Sequence, residues 1–156
     1  MKMKIALDPG VGIMPTRAHE HDAGLDLYSP VDATLYPPEA LAALGGVGFG
    51  GTIDSSVCID TGVHVAIPHG FVGDIESKSG LMVNNDITTD GTIDSDYTGS
   101  ICVKLFYHGH SVYRIKAGQK IAQLVIKKII TPELELVDTL EETERGDGGF
   151  GSTGLF

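Results

Sequence analysis

The sequence predicts an all-β protein, a sandwich, barrel or jelly roll, and three observations carry this prediction. Short runs rich in valine and isoleucine recur at residues 57–67, 70–77, 99–108 and 120–130. Turn-forming residues separate these runs, at 68–70, 84–86, 108–110 and 117–118. No segment has a long 3.6-residue periodicity. Many short strands at this spacing are typical of antiparallel folds with two layers or a closed sheet.

The individual segments support this class. In the third run, Val103, Leu105 and Tyr107 alternate with residues of mixed polarity, which is a period of two. One stretch, residues 37–44, has the composition of a helix with prolines at its start. It leads into a glycine-rich run, residues 45–51, which we interpret as a flexible surface loop.

Composition limits the possible functions. The chain has 156 residues and 42% hydrophobic residues, enough for one domain with a real core. Its formal net charge of −10 argues against binding a nucleic-acid backbone. A small polyanion would need local hydrogen-bond donors or a metal ion to overcome this field.

The location of the protein is predicted from what the sequence lacks. Neither a signal-length apolar stretch nor a run of about 20 apolar residues occurs, so we expect a soluble, cytoplasmic protein without a membrane anchor. Cys58 and Cys102 stand far apart and form no CxxC pattern. We expect them to be reduced, half-buried thiols.

Residues 91–99, GTIDSDYTG, form the first candidate site. Glycines bracket the stretch and predict a hairpin or tight turn, with Asp94 at the junction of strand and turn. A half-buried carboxylate there could orient and deprotonate a water molecule, although Asp94 and Asp96 could also be ordinary turn acids. An EF-hand is excluded because the twelfth position counted from Asp94 is Leu105.

Two glycine-containing stretches could bind phosphate. Residues 78–80 offer an ammonium, a hydroxyl and a glycine amide, without the Walker A pattern. Residues 145–154 combine one arginine, one phenylalanine, two hydroxyl residues and five glycines, which suits a nucleotide polyphosphate. A disordered tail is the alternative for this end of the chain. The histidine pairs at 19–21 and 108–110 match no zinc spacing.

Five stretches in order resemble the motifs of the trimeric dUTPases: residues 23–29, 77–81, 91–99, 117–126 and 145–154. The resemblance implies a distorted jelly-roll or β-barrel subunit in a homotrimer, with three active sites shared between subunits. It implies hydrolysis of dUTP to dUMP and pyrophosphate with Mg²⁺, which limits uracil incorporation into DNA and supplies dUMP for thymidylate synthesis. One subunit would supply the uracil hairpin, a neighbour the phosphate motifs, and the third its tail.

The same resemblance implies a role for each matching residue of the hairpin and its surroundings. Asp94 matches the catalytic Asp that activates the attacking water, and Tyr97 the aromatic residue that packs against deoxyribose. Gly91, Ile93 and Cys102 match the hairpin whose backbone pairs with uracil. Asp26 matches an acid that supports the site from behind, through metal-bound water.

The phosphate-binding residues follow from the other motifs. The resemblance assigns the phosphate chain to Lys78, Ser79, Gly80 and Gln123. It assigns the γ-phosphate to Arg145, Gly151, Ser152 and Thr153, and stacking on uracil to Phe150. No direct protein ligand is expected for Mg²⁺, because this ion binds mainly through phosphates and water.

The sequence departs from the family in two places. Lys78 stands where many members have arginine, which keeps the charge but loses the planar fork. Residues 39–51 look like an insertion, predicted to be a tolerated surface loop, with a regulatory protein partner as the weaker alternative. We therefore expect a β domain over residues 1–140 and a closing tail over 141–156. The related dCTP deaminases are disfavoured because they need a different acid–base pair and second motif.

Overall fold

The computed structural model describes residues 2–43 and 55–149, and within them the chain forms ten strands and two short helices. The strands are β1 (Lys4–Leu7), β2 (Gly24–Tyr28), β3 (Ala33–Leu35), β4 (Ser56–Asp60), β5 (Val63–Ala66), β6 (Phe71–Glu76), β7 (Ile87–Ile93), β8 (Cys102–Tyr107), β9 (Tyr113–Ile115) and β10 (Lys120–Lys128). The helices are α1 (Pro38–Ala43) and α2 (Ser79–Asn85). The predicted all-β class is confirmed.

One antiparallel sheet of six strands, in the order β2-β10-β6-β7-β8-β4, forms the body of the protein. Two smaller sheets pair β1 with β5 and β3 with β9. The four segments predicted as strands contain β4 and β5, β6, β8 and β10. The predicted helix is confirmed as α1, whereas α2 was not predicted.

The core lies on one face of the large sheet, and its composition follows from side-chain alternation. On β8, Val103 and Leu105 are fully buried while their neighbours point outward. On β10 the pairing with β2 shifts between Lys120 and Ala122. This irregularity breaks the alternation, so that Ile121 and Ala122 are both buried although they are adjacent.

The two cysteines lie on neighbouring strands, Cys58 on β4 and Cys102 on β8. Both are free and exposed, so the prediction of half-buried thiols was wrong for the single chain. Local burial, the hydrogen bond with the Cys58 thiol and the nearby charge of Asp60 raise the pKa of Cys102 to about 11. Cys102 is therefore protonated and a poor nucleophile at neutral pH.

None of the helices in the described parts of the chain is long and apolar enough to cross a membrane.

The turn between β4 and β5 is locked against the loop that follows β1. Gly62 has φ +63°, and a Cβ atom added there would lie 2.8 Å from the backbone nitrogen of Gly12. The Gly62 carbonyl accepts a 2.8 Å hydrogen bond from the Asp8 amide. Two backbones therefore meet at a distance that only glycine permits.

We predict that Gly62→Ala destabilises the protein more than Gly70→Ala does. Both glycines have positive φ, and alanine costs about 1–2 kcal/mol in that conformation. A Cβ at Gly70 meets nothing within 4 Å, so the comparison isolates the backbone clash at Gly62, which we expect to add about 1–3 kcal/mol. Urea unfolding at one fixed subunit concentration measures both variants. Equal losses would contradict the tight contact with Gly12.

Candidate active site

The hairpin formed by β7 and β8 opens part-way along its length. The two strands pair only from Ile87 to Thr89, opposite Leu105 to Tyr107. Beyond Thr89, β7 pairs on its other edge with β6, while β8 continues to pair with β4. A slot therefore separates residues 90–93 of β7 from the first residues of β8.

Side-chain hydroxyls stabilise the point where the hairpin opens. The Thr89 hydroxyl donates a 2.7 Å hydrogen bond to the Lys104 carbonyl on β8. The Ser77 hydroxyl donates to the Thr89 carbonyl at 2.9 Å and accepts from the Thr89 amide at 2.8 Å. The two Ser77 bonds continue the ladder between β6 and β7 one residue beyond Glu76, and the Thr89 hydroxyl holds β7 to β8 at the last residue of β7 that pairs with β8. The slot beyond Thr89 is left open.

The predicted hairpin residues lie along this slot. Gly91 and Ile93 are on β7 and Cys102 begins β8, as expected from the resemblance. A Cβ atom added at Gly91 would lie 3.6 Å from Ile75, an ordinary contact. Packing within the chain therefore leaves room for a side chain at Gly91, so the glycine is not required by its own neighbours.

The loop at the end of the hairpin, residues 94–101, carries Asp94 and Tyr97. The side chain of Asp94 is exposed in the single chain rather than half buried as expected, and the Asp94 carbonyl accepts a 3.1 Å hydrogen bond from the Tyr97 amide. Tyr97 is 44% exposed and donates its hydroxyl to the Ser100 carbonyl at 2.9 Å. Its ring lies against Gly99, where an added Cβ atom would be 2.5 Å from the Tyr97 hydroxyl oxygen.

A second group of polar residues surrounds Asp26 on β2. Its side chain is 7% exposed, and Lys78 Nζ lies 2.5 Å from Oδ1 while Lys120 Nζ lies 2.6 Å from Oδ2. Both lysines reach solvent, with side chains 25% and 40% exposed. One buried carboxylate is therefore clamped by two cations, and we call these three residues the Asp26 clamp.

The clamp keeps Asp26 ionised despite its burial. Desolvation by itself would raise the pKa of the Asp26 carboxyl, but hydrogen bonds from Lys120 and Lys78 outweigh it and the pKa lies below its ordinary value. The hydrogen bond to Asp26 likewise raises the pKa of Lys120. Both carboxylate oxygens of Asp26 are therefore paired with a lysine.

The predicted phosphate-binding residues lie next to the clamp. Ser79 and Gly80 are exposed in the first turn of α2, and no side chain caps the start of this helix. Gln123 on β10 is opposite Asp26 and reaches towards the Ser77 carbonyl, with Nε2 at 3.5 Å. The Gln123 side chain lies over Gly24, where any Cβ atom would collide with Oε1.

The two groups lie towards opposite ends of β6. Ile93 is opposite Gly73 in the ladder, and Asp94 follows it, whereas Ser77 and α2 follow the other end of β6. Ser77 lies four residue steps along the strand from Gly73, which corresponds to roughly 13 Å. Within one chain, the carboxylate of Asp94 and the phosphate-binding motif are therefore not brought together.

The C-terminal segment leaves the body after β10, and its last backbone bond to the body joins the Ile129 amide to the Gly70 carbonyl at 2.9 Å. In the part described, residues 130–149, all hydrogen bonds are internal to the segment, including that of Arg145 Nε to the Gly148 carbonyl at 2.9 Å. Leu134, Leu136 and Leu140 are 87–100% exposed. Phe150, Gly151, Ser152 and Thr153 lie outside the described residues.

Two residues of the Asp26 region were missed by the sequence reasoning. Lys120 is the only charged residue in the first seven positions of β10, in an otherwise apolar or amide-bearing run, and this isolation was a usable signal. Gly24 begins a strand in which every following residue is large, and a glycine there signals a close approach of another group.

We predict that Asp26→Asn costs about 3 kcal/mol at pH 7, because it leaves two lysines without their carboxylate partner. The pKa of Asp26 is lowered in the folded state. The contribution of its ion pairs to stability is therefore fully present above pH 3.8, the ordinary pKa, and is lost as pH falls through the lowered pKa. Denaturant titrations should show the two proteins converging in acid. Asp32→Asn, which removes an exposed partner of Lys116, should have a much smaller effect. A loss for Asp26→Asn that is the same at all pH values would contradict an ionic clamp.

Comparison with known proteins identifies relatives of this chain. A dUTPase family model matches residues 51–154. The deoxyuridine 5'-triphosphate nucleotidohydrolase of Mus musculus is 40% identical over 141 residues, which are 90% of this chain and 77% of the relative. The protein of the same name from Yarrowia lipolytica is 37% identical over 158 residues, covering 99% of this chain and 90% of the relative.

Solved structures show the same fold. A mutant dUTPase of Staphylococcus bacteriophage 80alpha, determined with dUpNHpp, has a TM-score of 0.82 at 29% identity and covers 99% of both chains. A dUTPase mutant of phage phi11 of S. aureus, described with a structural Mg(II) ion, has a TM-score of 0.74 at 26% identity over 91% of this chain and all of the other. The predicted jelly-roll-like fold is thereby confirmed, and the chain belongs to the dUTPase family.

Proposed function

We propose that the protein hydrolyses dUTP to dUMP and pyrophosphate. The observation that carries the proposal is the open slot between β7 and β8, with Asp94 and Tyr97 on the loop at its end. Membership of the family, and relatives named for this activity, support the substrate. The cellular consequence would be less uracil in DNA and a supply of dUMP.

The slot selects uracil through its backbone. Strand edges that have no partner strand offer amides and carbonyls at fixed positions, and a base can take the place of the missing strand. Cytosine would present the opposite pattern and leave buried groups unpaired, which gives strong rejection. The free space at Gly91 suits close approach of the base, with Ile93 and Cys102 on the two walls.

Tyr97 would select the sugar. Its ring is fixed by two local contacts, the hydrogen bond to the Ser100 carbonyl and the packing on Gly99. A ring held in one place can lie flat against deoxyribose and clash with a 2′-hydroxyl. The discrimination between dUTP and UTP would therefore depend on how firmly the loop is held.

Asp94 would act on the water molecule. Its exposed carboxylate accepts a proton while the water oxygen forms a bond to the α-phosphorus, and the bond from that phosphorus to the leaving pyrophosphate breaks. Exposure in the single chain is compatible with this role because substrate and neighbouring subunits would exclude solvent from Asp94.

The phosphate chain would lie on Ser79, Gly80 and Gln123, with Lys78 providing positive charge beside them. Mg²⁺ would bind at this site mainly through the phosphates of the substrate and through water, the ligands that this ion usually keeps. When bound, it would neutralise the charge of the triphosphate in a chain whose own charge is −10. Asp26 would support the site through its two lysines and through water.

The separation of the two groups on β6 supports a site shared between subunits of a homotrimer. Asp94 of one subunit would then meet Ser79 and Gln123 of a neighbour. The exposed leucines of the C-terminal segment, Leu134, Leu136 and Leu140, would become buried on another subunit, because a group of exposed apolar side chains marks an interaction surface. The tail of residues 141–156 would close over the substrate, with Arg145, Gly151, Ser152 and Thr153 on the γ-phosphate and Phe150 on the base.

The insertion over residues 39–51 remains a prediction, as does a regulatory partner for it, because its larger part lies outside the described residues. The division into residues 1–140 and 141–156 and a cytoplasmic location are likewise proposals.

The proposal is tested with purified protein, Mg²⁺ and four nucleotides: dUTP, dCTP, dTTP and UTP. We expect pyrophosphate release from dUTP alone. Asp94→Asn should lower kcat by at least about 10²-fold, the usual contribution of a positioned base, while dUTP binding persists. Asp96→Asn, which changes the other exposed carboxylate of the same loop, is the matched control and should keep kcat. Turnover of dUTP no faster than of the other three would refute the function, and retained kcat in Asp94→Asn would refute the role of Asp94.

The tail is tested by truncation. Removing residues 145–156 should leave the oligomer intact by analytical ultracentrifugation and reduce kcat/KM for dUTP by at least about 10²-fold, because the γ-phosphate loses its arginine and amide donors. Removing only residues 155–156, which lie beyond the motif, is the control. If the longer truncation has the kinetics of the full chain, the tail has no part in closing the site.

A further inference from the structure

His64, on β5, joins the loop that carries Asp94 and Tyr97 to the opposite sheet. Its Nδ1 lies 2.9 Å from the carbonyl oxygen of Thr98, the residue directly after Tyr97. Its Nε2 lies 3.1 Å from Oδ1 of Asp8, in the loop after β1. The side chain is 29% exposed, so both contacts are partly shielded from water.

Both partners of His64 are acceptors only, a backbone carbonyl and a carboxylate. A neutral imidazole carries one N–H and can satisfy only one of them, whereas the imidazolium donates from both nitrogens. The geometry therefore fits the doubly protonated ring. The hydrogen bonds to Thr98 and Asp8 raise the pKa of His64 above its ordinary value.

Other contacts from the β4–β5 turn hold the same half of the loop. The Ile101 amide donates to the Val63 carbonyl at 2.8 Å, and the Ser100 hydroxyl donates to Asp60. The half of the loop before Tyr97 is held less firmly. Among the residues that the structure describes, it has one contact from outside the loop, between Ser95 Oγ and His69 Nδ1 at 3.4 Å. The position of Tyr97 therefore depends on the anchors that follow it, and His64 provides the first of these.

We propose that His64 is a positioning residue whose hydrogen bonds to Thr98 and Asp8 hold Tyr97 in place for recognition of the deoxyribose. The proposal rests on the proposed function, because it assigns Tyr97 to the sugar. It makes sugar selection depend on pH: loss of the second proton leaves a lone pair facing Asp8 or Thr98, and one of the two bonds breaks.

The charged groups around His64 favour or oppose its imidazolium form according to their sign. Asp8, from the loop after β1, and Asp60, at the end of β4, both favour the imidazolium. Lys4 lines the same groove from β1 and carries the opposite sign. The bond to the Thr98 carbonyl is the largest influence and belongs to the loop itself, so movement of the loop and titration of the ring are coupled.

The first test is an NMR pH titration of the protein without nucleotide. The amide signals of Tyr97, Thr98 and Gly99 should shift with the midpoint of the His64 ring, above about pH 6.5. In His64→Gln, which keeps a donor but does not titrate, these shifts should be absent. His110→Gln, which alters an exposed histidine–carboxylate pair elsewhere, should leave them unchanged. Loop amides that ignore the His64 titration would overturn the proposal regardless of any enzymatic result.

The second test is kinetic. His64→Ala should raise KM for dUTP about three- to ten-fold, the effect of losing the one hydrogen bond from His64 to the loop at the Thr98 carbonyl, with a smaller change in kcat. The preference for dUTP over UTP should fall by a similar factor, and in the wild type it should fall as pH rises through the His64 midpoint. His64→Gln should restore most of KM and give a flat pH profile. Unchanged KM and sugar preference in His64→Ala would overturn the proposal, whereas absence of dUTP turnover in the wild type would refute the proposed function and leave the NMR result standing.

Discussion

The arrangement of the site depends on one exchange of partners in the large sheet, where β7 leaves β8 and continues along β6. Such an exchange exposes backbone groups unless side chains replace the lost ladder bonds. The Thr89 hydroxyl marks where the exchange begins, with its bond to the Lys104 carbonyl on β8, and the Ser77 hydroxyl bonds the Thr89 backbone on the β6 edge. Ser77 also precedes Lys78 and the start of α2. The same two hydroxyls therefore fix both the slot of the hairpin and the beginning of the phosphate motif.

A second constraint is electrostatic. A chain with a net charge of −10 must place positive charge where a triphosphate can use it. In the proposed site, the Asp26 clamp would achieve this with three residues from three strands or their ends. One buried carboxylate holds two lysines at fixed positions, and the three charges sum to a single positive charge beside Ser79 and Gly80. Replacing arginine with lysine at position 78 suits this arrangement, because a compact ammonium donates to one carboxylate oxygen and leaves the other for Lys120.

Much of the fold could be predicted from residue patterns alone. Alternation and turn residues identified β4 to β6, β8 and β10, and the prolines at 37–38 identified α1. The helix α2 was missed because SGLMVNN is too short to show a helical period and has no capping side chain. The motifs placed Gly91, Ile93 and Cys102 on the hairpin, but no local pattern could reveal that the hairpin opens at Thr89.

Long-range contacts explain other features of the structure that the sequence did not predict. Lys120 reaches Asp26 only because β10 lies beside β2, and His64 reaches Thr98 only because β5 leads away from β4 beside the loop. The exposure of Asp94 has another origin. Its half-buried environment was predicted from its position at the junction of strand and turn, whereas the single chain leaves Asp94 exposed, with Asp94 and Ser79 towards opposite ends of β6. Pattern reasoning can assign a residue to a strand and a turn, but burial depends on what covers it.

In the proposed homotrimer, the leucines of the C-terminal segment, rather than the length of the segment, would decide which subunit's tail closes a given site. From Ile129, the last residue bonded to the body, sixteen residues lead to Arg145, and an extended chain of that length spans roughly 50 Å. Distance alone therefore does not decide which site Arg145 would close in the proposed homotrimer. Leu134, Leu136 and Leu140 are exposed along this path, and their burial on an apolar surface would be favourable. In the proposed homotrimer, the subunit that covers these leucines would therefore determine which site Arg145 closes, and a fixed route would lower the entropy cost of closure.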